Sequence, residues 1–229
     1  MEEVKIIFKN DNYFVINKPA GLVTTNENGR EITSLERWLF EKYGDVGLRR
    51  QGIAHRLDKG TSGIVLVARN QQYLDYFLKI FKDRKVFKKY IALVTGEASF
   101  KGSIDMPIGR NGHIFGKFGV RSEGKNALTL FERIATIVFE EKKFSLIKVD
   151  LKTGRTHQIR VHFAYLGWPL VGDKIYGGKV VANLDRPFLH SSEIEFVDME
   201  GNHVYYRSKL SKDLTKTLKI MGYEKNILV

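Results

Sequence analysis

The chain has 229 residues, a formal net charge of +12, 43% hydrophobic residues and no cysteine. That length can bury a sizeable core in one large domain or two joined lobes, and the composition argues against disorder. The missing cysteines exclude disulfides, thiolate catalysis and cysteine-ligated metal sites. No apolar run approaches the roughly eighteen residues of a membrane span, and the acidic start Met1-Glu2-Glu3 does not read as a signal peptide; the composition suits the cytoplasm. So basic a chain attracts polyanions, because each phosphate neutralised releases condensed counterions. Lys79, Lys82, Arg84, Lys85, Lys88 and Lys89 crowd one segment, and Lys117, Arg121 and Lys125 another. Charge alone is equally consistent with solvated faces on a soluble protein.

In chain order, residues 4–8 and 13–16 read as short strands around the turn 9–12. Thr33-Ser34-Leu35-Glu36 resembles a capping box, followed by Leu35, Trp38, Leu39 and Tyr43 at helical spacing. The run 64–68 is β-branched and too short for a helix, which predicts a buried strand. Leu74, Phe77, Leu78 and Phe81 follow the i, i+3, i+4, i+7 pattern of an amphipathic helix. Strands are then predicted over 90–94, 128–134 and 145–151. Between the first two lies the glycine-rich stretch 109–119, whose spacing fits neither a dinucleotide nor a P-loop fingerprint. It reads as a mobile, basic, aromatic-bearing loop able to close over a nucleic-acid backbone. Thr156 is placed to cap a helix that turns Ile159, Phe163 and Leu166 inward, with Gly167 and Pro169 as its stop. Residues 211–221 form a second capped amphipathic helix. Strands with interspersed helices but no strict βαβ rhythm indicate an α+β protein with a mixed or antiparallel sheet.

The run His55-Arg56-Leu57-Asp58-Lys59-Gly60-Thr61-Ser62-Gly63 feeds the buried strand. Cations at positions 56 and 59 favour an ionised Asp58, able to act as nucleophile or base. A turn aspartate bonding its own backbone is the competing reading. Arg155-Thr156-His157-Gln158-Ile159-Arg160-Val161-His162 places arginines near a helix N-terminus, where a phosphate or a carboxylate would be held. His157 and His162 are five apart rather than four, and Asp105, Asp150 and Asp173 are scattered, so no metal site is expected. Gly60-Thr61-Ser62-Gly63 lacks nucleophile-elbow spacing, and its hydroxyls serve the local turn. Tyr90 is either an ordinary sheet tyrosine or a ring that stacks on a base and moves a proton.

These residues resemble the RluA-type pseudouridine synthases, which isomerise uridine in structured RNA. Four segments carry the likeness in order: Asn17-Lys18-Pro19-Ala20-Gly21-Leu22, the 55–63 run, Lys88-Lys89-Tyr90-Ile91-Ala92-Leu93-Val94, and 153–162. Weaker matches lie at 166–170, 172–177 and 188–191. The resemblance implies Asp58 as catalytic aspartate, Arg56 as a residue of base extrusion, Tyr90 as the ring against the target base, and Arg160 as the basic partner of Asp58. His55, Thr61, Lys88, Lys89, Arg155, His157 and Gln158 are expected to contact RNA. The implied fold is α+β, a mixed, mainly antiparallel bisected sheet with flanking helices and a central active-site cleft. Many members carry a small RNA-binding domain ahead of the catalytic one; here the motifs begin almost at Met1. Residues 1–229 are therefore expected to form a single catalytic domain of two lobes, monomeric and without cofactor or metal. Its partner would be ribosomal RNA, transfer RNA or both.

The reaction breaks a glycosidic bond, turns the freed base and joins carbon 5 to the sugar, with no redox change and no energy donor. Its target must be flipped from the stack at a cost of a few kcal/mol. Asp58 could attack the anomeric carbon, add to the ring or take a sugar proton. A non-catalytic RNA-binding or RNA-folding protein on the same scaffold, and a hydrolase that releases free uracil, are the alternatives.

Overall fold

The computed structural model describes residues 3–26, 33–110 and 117–225. In chain order the elements are β1 (Lys5–Lys9), β2 (Tyr13–Lys18), α1 (Leu35–Tyr43), β3 (Ser62–Ala68), α2 (Gln71–Lys82), β4 (Phe87–Thr95), β5 (Lys101–Asp105), β6 (Ile108–Arg110), β7 (Phe118–Val120), β8 (Leu128–Phe139), β9 (Lys142–Leu151), α3 (Gln158–Tyr165), β10 (Leu189–Val197), β11 (His203–Arg207) and α4 (Lys212–Ile220). They fall into two compact units. The first takes the described residues up to 87 with 191–209, and the second takes 88–190 with 210–225.

In the first unit β1, β2 and β3 form an antiparallel series, and β11 pairs antiparallel with β10. Every residue of β3 is buried, which explains its unbroken apolar run: a strand covered on both faces has no polar side to show. The register sets Lys18 opposite Gly63 and Asn17 opposite Ile64, so the first quoted segment lies beside the start of β3. Helix α2 turns Tyr73, Leu74, Phe77 and Ile80 inward, whereas the spacing pointed to Leu74, Phe77, Leu78 and Phe81; Leu78 is exposed. The face is rotated because the Tyr73 ring stacks on Tyr13, with centroids 5.5 Å apart and planes 25° from parallel. The cap of α1 is Ser34, whose side chain accepts the Arg37 N–H. Glu36 instead accepts the Asn26 N–H, so the expected Thr33–Glu36 box is replaced by a tie to the preceding loop.

Helix α2 ends in a Schellman motif. The Lys85 N–H reaches the Ile80 carbonyl at 2.8 Å and the Arg84 N–H reaches that of Phe81 at 3.2 Å. The residue in the left-handed position is Arg84, with φ at 57°. Glycine is usual there, and a side chain costs about 1 kcal/mol or more.

In the second unit β4, β9, β8 and β5 pair antiparallel in that order, and β6 pairs with β7. The predicted strands at 90–94, 128–134 and 145–151 are present and longer than predicted. Glu140 and Glu141, both at positive φ, form the tight turn between β8 and β9 whose twist matches paired strands. Helix α3 buries Ile159, Val161 and Phe163. It starts at Gln158, not after a Thr156 cap, and Leu166 is exposed beyond its end. Helix α4 follows Ser211 as predicted, with Leu214, Thr217 and Leu218 buried, but the Ser211 side chain makes no capping bond to it. Arg186 clamps it, bonding both Asp213 carboxylate oxygens at 2.7 and 2.9 Å and the Ser211 hydroxyl at 2.8 Å. The core of the anticipated loop, 111–116, lies outside the described residues.

The α+β class with a mainly antiparallel sheet is as anticipated. Among the described residues no helix is long and apolar enough to cross a membrane.

Candidate active site

In the first unit the Asp58 turn is held by its main chain. The Thr61 N–H closes it on the Asp58 carbonyl at 3.0 Å, and the Gly21 N–H donates to the Lys59 carbonyl at 2.7 Å. On the other side, the Thr24 hydroxyl donates to the Leu57 carbonyl at 2.7 Å and accepts the Leu57 N–H at 3.1 Å. Residues 57 and 59 are thus both tied to the segment 21–24. That segment is shaped by Lys18, whose fully buried ammonium donates to the carbonyls of Pro19 at 2.9 Å and Leu22 at 2.8 Å. The backbone on either side of Asp58 is therefore fixed while Asp58 itself stays half-buried, between exposed Arg56 and Lys59. Thr61 is buried. Gly63 must be glycine: its φ is 113°, and a Cβ there would lie 2.2 Å from the Ser191 carbonyl oxygen. His55 accepts the Leu66 N–H through Nε2 at 3.0 Å, which requires a neutral ring protonated at Nδ1. The ring lies against Phe81, with centroids 4.5 Å apart. His55, expected to touch RNA, thus joins its loop to β3 and to the last turn of α2.

In the second unit Arg160 sits in the first turn of α3 and is 5% exposed. Its Nε donates to Asp173 Oδ2 at 2.7 Å and its Nη2 to Oδ1 at 2.8 Å, a bidentate pair of the strongest geometry available to these groups. The guanidinium also lies over the Tyr176 ring, 5.0 Å from its centre. At this helix start Arg160 thus holds the Asp173 carboxylate. Neither Asp173 nor Tyr176 stood out among the candidates; both belong to the weakly matching segment 172–177. Gly172 in that segment and Gly178 just after it have a steric reason, since a Cβ at Gly172 would lie 2.0 Å from the Arg186 carbonyl oxygen and one at Gly178 1.9 Å from that of Leu170. Tyr176 holds His157, its hydroxyl 2.9 Å from Nδ1, and His157 adopts a left-handed backbone at the N-terminus of α3.

Gln158, also expected at RNA, is 2% exposed and fully used inside the protein. Its carbonyl oxygen accepts from the Thr153 hydroxyl at 2.7 Å and the Arg155 N–H at 3.0 Å. Its amide donates to the Leu128 carbonyl and the Thr129 hydroxyl, both at 3.0 Å. It shapes the 153–157 turn, while Arg155 donates from Nε to the Asn126 carbonyl. The chain of bonds continues inward. Thr129 meets His162 Nδ1 at 2.9 Å, and His162 Nε2 meets the Met106 carbonyl at 3.0 Å. A carbonyl only accepts, so the proton is on Nε2 and Nδ1 accepts from Thr129.

Tyr90 is 6% exposed on β4, opposite Val149. Lys88, two residues earlier, shares its face of the strand. Burial lowers the Lys88 pKa from its usual range, with Asp150 opposing the shift. Lys89 pairs in register with Asp150.

Residues 12–165 match the sequence pattern of the family described as RNA pseudouridylate synthase. The chain is 33% identical over 223 residues to an uncharacterized RNA pseudouridine synthase, YlyB, of Bacillus subtilis, covering 95% of this chain and 72% of the relative. It is 37% identical to ribosomal large subunit pseudouridine synthase D of Pseudomonas aeruginosa, covering 99% and 74%. Across these and other relatives the chain spans 57% to 75% of the relative's own length. The solved structure of human RNA pseudouridylate synthase domain containing 1 superimposes with a TM-score of 0.75 at 27% identity, over 91% of this chain and 84% of that one. With the motifs in order, the fold matched and most of the sequence aligned, the chain belongs to the RNA pseudouridylate synthase family, whose named members are isomerases.

Proposed function

We propose that this protein converts uridine to pseudouridine in structured ribosomal RNA, with Asp58 as the carboxylate that starts the reaction. The observation that carries the reading is the Asp58 turn, half-buried between two cations and fixed by main-chain bonds on both sides. A nucleophile held in a near-attack position avoids much of the entropic cost of meeting its target. The ribosomal assignment rests on relatives named as ribosomal large subunit pseudouridine synthases.

The bond between the uracil nitrogen and the anomeric carbon breaks, the base turns, and carbon 5 bonds to the same sugar carbon. The proton lost from carbon 5 is balanced by one gained at the freed nitrogen, so atoms and electrons close without a co-reactant. Attack on the sugar, addition to the ring and abstraction of a sugar proton each need Asp58 ionised. Arg56, exposed beside it, fills the stack that the flipped base vacates. Tyr90 packs on that base, and Arg160 keeps the carboxylate charged and oriented. Lys88, Lys89, Arg155 and His157 supply contacts to the RNA.

The test is tritium release from carbon 5 of labelled uridine in large-subunit ribosomal RNA, without added cofactor. Wild-type protein releases tritium and yields pseudouridine. Asp58→Asn abolishes release while binding RNA within a few-fold of wild type; turnover retained by that variant removes Asp58 from the mechanism. Tight binding with no pseudouridine formed would identify an RNA-binding protein instead, and free uracil would identify a glycoside hydrolase.

A further inference from the structure

The last turn of α2 and the segment after it carry cations that no part of the site uses. Lys79, Lys82, Arg84 and Lys85 are all exposed. Among the described residues none of these four side chains makes a hydrogen bond, an ion pair or a ring contact. Some other surface cations are paired: Arg37 with Glu41, Arg133 and Lys143 with Glu97, and Arg121 with Glu123. Asp83 is the one carboxylate within the stretch 79–87. Beyond Lys85 the chain alternates: Val86 is buried at 4% exposure in the α2 core, and Phe87 is 51% exposed.

Cations at a helix C-terminus stabilise the helix through its dipole, and that accounts for Lys79 and Lys82. It does not account for Arg84. Stability favours glycine in its left-handed position, so a strained arginine there signals a use for the side chain. On the same helix, Phe81 packs against His55 at the start of the Asp58 run, so this surface adjoins that run.

We infer that the C-terminal end of α2 is an RNA-docking surface, in which Lys79, Lys82, Arg84 and Lys85 grip phosphates flanking the target. The chemistry fits RNA because four clustered cations without carboxylate partners match successive phosphates, beside the Asp58 run. The inference rests on the proposed function for the identity of the ligand.

The test separates strain from charge. Arg84→Gly relieves the backbone and removes the guanidinium, so it melts at the same temperature as wild type or higher. Its affinity for a large-subunit ribosomal RNA transcript falls about five-fold, and the slope of log affinity against log salt drops by about one. Lys82→Glu, which leaves the left-handed position untouched, weakens binding further. Arg84→Lys, which keeps strain and charge, binds within about two-fold of wild type. Wild-type affinity and salt slope in both Arg84→Gly and Lys82→Glu would overturn the inference and leave the patch as solvated charge. Pseudouridine formation by wild-type protein on the same transcript is scored in parallel, so failure of the docking surface is distinguished from failure of the functional reading.

Discussion

The turn that carries Asp58 is held by main-chain groups and one hydroxyl, whereas Arg160 is held through its own charge. Around Asp58 these bonds end on the carbonyls and N–H groups of Leu57, Asp58, Lys59 and Thr61, so the turn is positioned through its backbone. Arg160 has Nε and Nη2 committed to Asp173 and its face laid on Tyr176; its position and its charge balance are one feature. A reactive group is best fixed through its backbone, while a group needed for its field can be fixed through its head. The two arrangements should therefore fail differently when broken.

Breaking the second has the largest expected effect. Asp173→Ala leaves a buried guanidinium short of its bidentate carboxylate, and we expect a loss of about 3–5 kcal/mol in urea unfolding. Replacing both partners, Arg160→Met with Asp173→Leu, recovers most of that stability, because two apolar groups leave no charge stranded. If the double variant is stable but inactive, Arg160 is needed for chemistry rather than for folding; if it turns over normally, the pair is structural.

Breaking the first costs less stability and relatively more catalysis. Thr24→Val keeps the shape but strips the hydroxyl from a buried site, leaving the Leu57 N–H and carbonyl unpaired. The expected loss is about 1–3 kcal/mol. Turnover falls about 10- to 100-fold through misplacement of Asp58, with KM for RNA little changed. Thr24→Ser restores both. A stability loss without a selective fall in kcat would make Thr24 structural only.

Which of these supports could be read from the chain follows from how local they are. The buried strand 62–68 and the helix after it were legible because burial writes itself into periodicity. Asp58 was legible as a flanked carboxylate, but spacing alone favoured a turn aspartate, and only the ordered segments of a known family reversed that. Thr24 carries no local mark, since its clamp spans 33 residues of sequence. Asp173 lay inside a glycine-punctuated segment, and the glycines were the available signal: they allow the close backbone approaches that set the aspartate under Arg160. Gln158 and His55 looked like RNA contacts because polar residues within a motif invite that reading, yet Gln158 spends its whole amide inside the protein and His55 turns its Nε2 to the Leu66 N–H. The rotated face of α2 escaped notice because Tyr73 lay outside the i, i+3, i+4, i+7 set chosen, yet its ring stacks on Tyr13.

The smallest effect expected lies in the network behind Arg160's helix. His162 is fully buried, and burial lowers its pKa below the usual 6.5, against the opposing pull of the Met106 carbonyl and Asp105. The neutral ring accepts from Thr129 and donates to Met106; a second proton on Nδ1 would face the Thr129 hydroxyl hydrogen. The unfolded chain takes up that proton near pH 6.5 while the folded one does so only at lower pH. Between those points the unfolded state binds more protons, so stability falls as the pH drops below about 6.5 and is unaffected above it. One proton limits the slope to about 1.4 kcal/mol per pH unit. His162→Gln, whose amide can donate to Met106 and accept from Thr129, flattens the profile in this window. Because Gln158 links Thr129 to the turn at 153–155, acid should loosen that turn while the main-chain brace of Asp58, which contains no titrating side chain at its bonds to Leu57 and Lys59, stays in place. Amide hydrogen exchange at pH 5 and pH 7 reads the difference directly: faster exchange at the Arg155 N–H, with unchanged protection at the N–H groups of Gly21 and Leu57, is the expected pattern, and equal loss at both sites would mean that the two supports are not independent.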